Sequence, residues 1–532
     1  MLVFDERLNV FLTIMPNVRS QIIVNAVANW LGFAAQLIVA FFLAPILVHA
    51  LGDERNGIWS LVESILAYLM LFDLGVAVSV VRYVARFEAT GDWDKLNRIF
   101  STSLVIFAAA GALAMLVALG LAFPFVQLLS IAGELRNEAR WMLLLLGVNL
   151  AIGLPLSVFP CVLDGLSRYP VKTMLRTTVL IIRSILFVVI LNRGGGLIGL
   201  AWAISGCNLA EHLLMGLAAW WYLPSLRFSI RLVDRATFKT IRGYSLDAFL
   251  ALIAGRVSFQ TDALVIGLFQ PARFITFFAI AARLVEYAKN AVRAFTSVLV
   301  PTVSSLEALG ELEKIRKVIV VGTRYVLWII IPVEAGLLFL GKPFLALWMG
   351  HRYVSLCYPT LAILTVPLGL AMAQSVAARV LYGMGQLRWF ARAVIAEAVV
   401  NLLLSLALVG PLGIEGVALG TSIPNVINNL LILGYVCRVV GLEYSFYLRR
   451  AWLVPTLWGV VLAFGWWTTE ALIPTRTWTS LLATGFSGLS AFWAIAGISE
   501  LGLEPLLKLS RSVIGGNSRA TPLLVAEEYV GE

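Results

Sequence analysis

The sequence predicts an all-α polytopic membrane protein of about fourteen transmembrane helices. Three observations lead there. Hydrophobic residues make up 60% of the 532 and charged residues only 13%, about half the roughly 25% of soluble chains. Mean hydropathy is +0.91. The apolar residues also gather in runs of twenty or more, parted by short charged loops. Each run suffices to cross a hydrocarbon core about 30 Å thick. No polar stretch is long enough for a soluble catalytic domain, which argues against an enzyme.

The spans fall at 21–48, 58–81, 100–125, 139–163, 174–192, 197–222, 244–268, 276–302, 323–348, 359–382, 388–409, 411–437, 451–473 and 479–499. The first carries Asn25, Asn29, Gly32 and Gln36 on one face, and the second Ser60, Glu63 and Ser64. Such stripes serve helix packing more often than a polar path. The fifth contains Arg183, and the sixth contains Glu211 and His212 after a run of three glycines. Span seven holds Asp247, Arg256 and Asp262, and span eight is the most charged of all. Pro332, Pro367 and Pro424 lie within later spans and predict kinks. These spans divide the chain into a cytoplasmic segment 1–20, a six-helix lobe 21–222 and a basic cytoplasmic linker 223–243. A second six-helix lobe 244–437, two further helices within 451–499 and a cytoplasmic tail 500–532 follow.

The net charge is +10 and the isoelectric point about 9.6. Placement shows this to be a topology signal with some attraction for anionic lipids, not a mark of nucleic-acid binding. Alternate loops carry dense sets such as Arg82, Arg86, Lys95, Arg98 and Arg227, Arg231, Arg235, Lys239, Arg242. The loops between them hold one or two basic residues each, among them Arg55, Arg193 and Arg273. The dense set marks the cytoplasmic side, and with it both termini. Cys161, Cys207, Cys357 and Cys437 are scattered without a C-x-x-C; they read as small buried hydrophobes, neither disulfides nor metal ligands. Gly194 to Gly199 satisfies G-x-G-x-x-G, but no strand precedes it, so it reads as a turn. Gly336 to Lys342 resembles a phosphate loop, yet Pro343 replaces the required Ser or Thr.

An internal repeat organises the chain. Leu163-Asp164-Gly165 and Leu381-Tyr382-Gly383 each close a span before a basic loop. Gly199-Leu200-Ala201 with Ser205 matches Gly416-Val417-Ala418 with Ser422. The offset is 217 or 218 residues throughout, an even number of helices, which predicts two parallel lobes about an axis along the membrane normal.

Charges at membrane depth are costly and are functional candidates by default. In span eight, Arg283, Glu286, Asn290 and Arg293 fall within about 80° of helical arc, with Lys289 about 40° beyond. One reading is internal neutralisation, with Glu286 pairing Arg283 or Lys289 and Asp262 and Arg256 completing an ion network. The other is a wet cavity in which the surplus of Arg256, Arg283, Lys289 and Arg293, with Arg183 from the other half, holds an anion. A guanidinium fork suits phosphate or pyrophosphate. Glu63, Asp247, Asp262 and Glu286 are candidates for coupling transport to H⁺ or Na⁺.

The segment Pro45 to Val48, Leu51-Gly52, Gly57-Ile58-Trp59, Phe72-Asp73-Leu74-Gly75-Val76 and Val81-Arg82-Tyr83-Val84-Ala85-Arg86 resembles the opening of polysaccharide transporters. These are the lipid-linked oligosaccharide flippases of the multidrug/oligosaccharidyl-lipid/polysaccharide (MOP) exporter superfamily. Leu163-Asp164-Gly165 and Gly413 to Ala418 are similar to that family's pattern as well. The resemblance covers roughly residues 20–440. It implies two lobes around a central cavity and movement of a polyprenyl-pyrophosphate-linked glycan, such as an O-antigen or exopolysaccharide unit, across the bacterial inner membrane. It implies no cofactor, and glycan polymerase or ligase machinery as further partners. The competing readings are a cation-coupled multidrug exporter, a peptidoglycan-lipid flippase, and a membrane-embedded glycan ligase or polymerase. A cationic cavity disfavours the first, and the short external loops disfavour the last.

Overall fold

The computed structural model describes residues 16–124, 127, 131–296 and 299–501, without the side chains of 16–27, 29, 244, 246–260, 291, 294, 295, 301 and 387. Every regular element among them is helical. In chain order the main helices are α1 (Pro16–Leu69), α2 (Val76–Thr90), α3 (Trp93–Ala122), α4 (Gly133–Leu156), α5 (Val158–Gly165), α6 (Tyr169–Asn192) and α7 (Gly196–Tyr222). Then come α8 (Arg235–Phe269), α9 (Ala272–Thr296), α10 (Leu299–Ala308), α11 (Leu312–Ala335), α12 (Gly341–Trp348) and α13 (His351–Thr365). The last are α14 (Leu368–Gly383), α15 (Leu387–Val440), α16 (Leu453–Leu472) and α17 (Trp478–Leu501).

Ten helical segments among the described residues are long and apolar enough to cross a membrane. The chain is thus an all-α, multi-pass membrane protein. The segment Arg388–Val440 has 53 residues, roughly 80 Å of continuous helix at 1.5 Å per residue, far more than one bilayer crossing. Gly413 divides it, with φ 59° and ψ −137° inside α15, a conformation closed to side-chain-bearing residues. Gly52 breaks α1 in the same way. Helix α9, overlapping the expected eighth span, carries five charges and is not one of those ten segments.

The second expected span, 58–81, is not one rod. A 3-10 turn at Met70–Asp73 leads into Leu74 and Gly75, both left-handed at φ 52° and 74°. The Asp73 carboxylate then accepts the Ala77 amide at 3.1 Å and starts α2. Asp-Leu-Gly is therefore a helix break with its own cap. Alternation of apolar residues runs unbroken through it, and that hid it. The stretch expected as a linker, 223–243, likewise contains the start of α8. Asp234 caps it, accepting from the Thr237 amide at 2.8 Å and the Thr237 hydroxyl at 2.6 Å. Those bonds, with help from Arg98, hold the Asp234 carboxyl below the usual carboxylate range.

Packing divides the chain into two compact units, 1–280 with 394–421 and 281–393 with 422–532. In the first, α3 packs on α4, α1 on α6, and α7 on α4 and α6. A core containing Val84, Phe100, Phe107, Phe159, Val162 and Met215 joins α2, α3, α5 and α7. In the second, α11 is central, packing on α14 and α16. Trp328, Trp466 and Phe492 tie α16 and α17 to it. The Arg324 guanidinium and the Trp328 indole N–H both bind the Glu500 carboxylate near the end of α17.

The motifs behind the family resemblance are crossing points. Gly57 lies so close to the Ala272 carbonyl that no side chain fits. Neighbouring Asn56 donates to the Thr276 hydroxyl at 3.2 Å. A Cβ on Gly165 would stand 2.7 Å from Val84 and 3.1 Å from the Val81 carbonyl. One on Gly383 would stand 2.7 Å from Val303 and 3.1 Å from the Val300 carbonyl. The same close crossing is therefore built once in each unit, in the register of the sequence repeat.

Candidate functional site

In the second unit, the cationic stripe on α9 runs from Arg283 to Arg293, about 15 Å at 1.5 Å per residue. Arg283, Glu286, Lys289 and Asn290 are all half-buried. Glu286 pairs with Arg293, two turns on, a partner the sequence reading did not consider; the N–O distance is 2.6 Å. The same guanidinium nitrogen donates to the Asn290 side-chain oxygen at 2.9 Å. Glu286, Asn290 and Arg293 lie at i, i+4 and i+7, so one face brings them together. The ion pair keeps 35% and 36% of its side-chain surfaces exposed. It is thus reachable by a ligand yet partly withdrawn from water, which strengthens a charge-assisted hydrogen bond relative to full exposure.

The first unit holds a second basic line, on α6. Lys172 pairs with Asp164 at 2.5 Å, and Arg176 lies 3.7 Å from Glu211 on α7. Deeper in the span, Arg183 donates to the Asn208 side-chain oxygen at 3.2 Å. Asn208 in turn donates to Asn149 at 3.1 Å, and Asn149 to the Ser205 carbonyl at 3.3 Å. Lys172, Arg176 and Arg183 sit at i, i+4 and i+11, within about 40° of one helical face. Arg176 and Arg183 fall within the expected span 174–192, with Lys172 just before it.

Asp262 on α8 is 6% exposed. It accepts from the Thr421 hydroxyl at 3.1 and 3.2 Å. Asn401 donates to the same hydroxyl at 3.2 Å, and Ser405 donates to Asn401 at 3.3 Å. Asp262 therefore meets the Thr421 hydroxyl of α15, which is itself held by the Asn401 amide. Glu63 is exposed. The side chains of Asp247 and Arg256 lie outside the described residues, and with them the expected Arg256–Asp262 contact.

Sequence reasoning missed Glu334. It follows Pro332 on α11 and precedes the π-helical turn Gly336–Leu340. Its carboxylate accepts the Gly369 amide at 3.0 Å, at the first turn of α14. A lone acid in an apolar span was the available signal. Gly32 meets the Thr173 side chain, so this member of the α1 stripe serves the packing of α1 on α6.

Two families match parts of the chain: one described as polysaccharide biosynthesis protein over residues 138–357, and one described as lipid II flippase MurJ over 291–478. A probable low-salt glycan biosynthesis flippase of Haloferax volcanii is 22% identical over 59% of this chain and 67% of its own length. A candidate O-antigen transporter of Shigella flexneri is 21% identical over 77% of this chain and 96% of its own. Among solved structures, the lipid II flippase MurJ in an inward closed conformation superposes with a TM-score of 0.70 at 14% identity, over 90% of this chain and 99% of that one. Multidrug exporters of the MATE family share the fold.

Proposed function

We propose that this chain, a member of the MOP exporter superfamily, is a flippase for a polyprenyl-pyrophosphate-linked oligosaccharide. The observation that carries the reading is the α9 stripe: three cations and one acid along one side of the helix, with the Arg293–Glu286 pair one-third exposed. A surplus of positive charge at membrane depth is expensive unless an anion joins it. A diphosphate supplies two negative charges and the oxygen geometry that guanidinium forks match. The related glycan flippases fit this class of substrate.

In this reading the diphosphate displaces Glu286 from Arg293 and is shared with Arg283 and Lys289, while the lipid chain stays in the bilayer. Arg183 and Arg256, the other cations expected from the sequence, belong to the same proposal. Release restores the Arg293–Glu286 pair, so the acid competes with the substrate and keeps binding reversible. Alternating access, a bacterial inner-membrane setting and cytoplasmic termini complete the proposal. For coupling, Asp262 is the strongest of the four expected acids, because it is buried and the Thr421 hydroxyl oxygen beside it could join its carboxylate around Na⁺. Glu63, Asp247 and Glu286 remain secondary.

The buried Asp262 and the half-buried Glu334 favour a second reading, a cation-coupled drug exporter. One experiment separates the two. Proteoliposomes containing the purified protein are supplied with a fluorescent polyprenyl-pyrophosphate saccharide, and separately with a lipophilic cationic dye. The flippase reading expects saccharide flipping above protein-free vesicles and no dye accumulation. Dye transport without flipping would overturn it.

A further inference from the structure

Along α3 in the first unit runs a groove of about 510 Å³, separate from both basic lines. Its floor is apolar: Thr102, Val105, Ile106, Ala109, Ala110 and Leu113 on α3, with Phe72 and Leu74 from the Asp-Leu-Gly break beside it. The left-handed turn at Leu74 ends the preceding helical rod beside α3. At the other end lie Asp234, Arg235 and Phe238 at the start of α8. Arg98, one turn before Thr102, reaches Asp234 at 3.4 Å. From Thr102 to Leu113 the groove is about 16 Å long at 1.5 Å per residue, close to one leaflet, half of a hydrocarbon core about 30 Å thick.

We propose that this groove is the binding site of one ester-linked anionic phospholipid of the cytoplasmic leaflet. Three features select that occupant. The mouth is basic, with Arg98 and Arg235 beside the single acid Asp234, and lies in the loop set that the charge bias puts on the cytoplasmic side. The apolar lining, from Thr102 to Leu113, matches the length of one acyl chain in a single leaflet. Between mouth and tail sits Thr102, 1% exposed, whose hydroxyl has no hydrogen-bond partner among the described residues.

Threonine in a helix divides between two χ1 rotamers. One rotation exchanges hydroxyl and methyl, and the O–H then meets a chain entering the groove. Thr102 lies about 6 Å along the helix from Arg98, the depth at which an ester carbonyl follows its phosphate. A polyprenyl phosphate has no carbonyl there. The phosphate is held by Arg98 and Arg235, the Thr102 hydroxyl donates to the ester oxygen, and the chain lies along Val105, Ala109 and Leu113. The site rests on the topology of the basic loops and is independent of whether the chain moves a glycan.

The test is native mass spectrometry of the full chain, equilibrated with ester-linked phosphatidylglycerol, its ether-linked analogue and phosphatidylcholine. One retained phosphatidylglycerol is expected, with the ester form favoured about three- to tenfold, the scale of one hydrogen bond. Thr102→Val should erase the ester preference, and Arg235→Gln should reduce the preference over phosphatidylcholine. Ala109→Trp should abolish retention, because Ala109 is exposed and the added ring fills the groove instead of the core. Equal retention of ester and ether lipids by the unmodified protein would overturn the proposal. So would unchanged retention by Ala109→Trp, or displacement of the phospholipid by polyprenyl phosphate. If Ala109→Trp does not fold, the Thr102→Val comparison decides alone.

Discussion

Glu286 distinguishes a binding stripe from a structural brace. At about 4 Å and an effective dielectric near 20, a guanidinium and a phosphate attract by roughly 4 kcal/mol. The Arg293–Glu286 pair is about one-third exposed, so solvent screening reduces this to about 1.5–3 kcal/mol, the range of hydrogen bonds to charged groups. Arg293→Gln should therefore weaken diphosphate binding roughly tenfold to a hundredfold. It should cost more than Arg283→Gln, because Asn290 already holds the Arg293 guanidinium in place at 2.9 Å. Glu286→Gln acts in the opposite sense. It removes the competitor for Arg293 and should tighten binding several-fold. The assay is titration of a fluorescent polyprenyl-pyrophosphate saccharide onto the protein in nanodiscs, followed by flipping in vesicles. Arg283→Gln with Arg293→Gln together should abolish flipping while membrane insertion persists. The reasoning fails if that double variant flips normally, or if Glu286→Gln weakens binding as much as Arg293→Gln.

Three further outcomes are expected. Gly165→Ala and Gly383→Ala should each lower stability by about 1–3 kcal/mol, because the added methyl meets valine side chains at 2.7 Å; thermal unfolding in detergent reads this, and equal losses at the two sites would support the repeated crossing. Glu500→Gln should release the end of α17 from Arg324 and Trp328, at about 1–3 kcal/mol, seen as faster proteolysis after α16 with α11 intact. Asp262→Asn should abolish the response of flipping to an imposed Na⁺ gradient while leaving downhill flipping measurable; an unchanged gradient response would remove Asp262 from coupling.

Much of the fold was legible because the bilayer is a severe solvent. A run such as 174–192 has to be helical, since any other backbone would leave polar groups unpaired in hydrocarbon. The repeat was legible for a related reason: Gly165 and Gly383 are required wherever two helices cross without room for a Cβ. The helix break at Leu74 and Gly75 was not legible, because hydrophobicity continues through it and only backbone conformation interrupts the rod. The stripe on α9 could be drawn from 100° per residue, but the choice of Arg293 as the partner of Glu286 could not. Pairings at i+3 and i+7 are alike in sequence, and side-chain rotamers with local exposure select among them.

Composition and spacing alone thus determined that the chain crosses a membrane many times, that it repeats itself, and that one helix carries charge where charge is costly. These follow from local rules of burial and periodicity. Only the tertiary structure decided which hydroxyl meets Asp262, how Arg183 is held by Asn208 and Asn149, and that α3 leaves a groove beside Arg235. Each of those depends on residues far apart in sequence meeting at one point, and a linear pattern contains no distance between them.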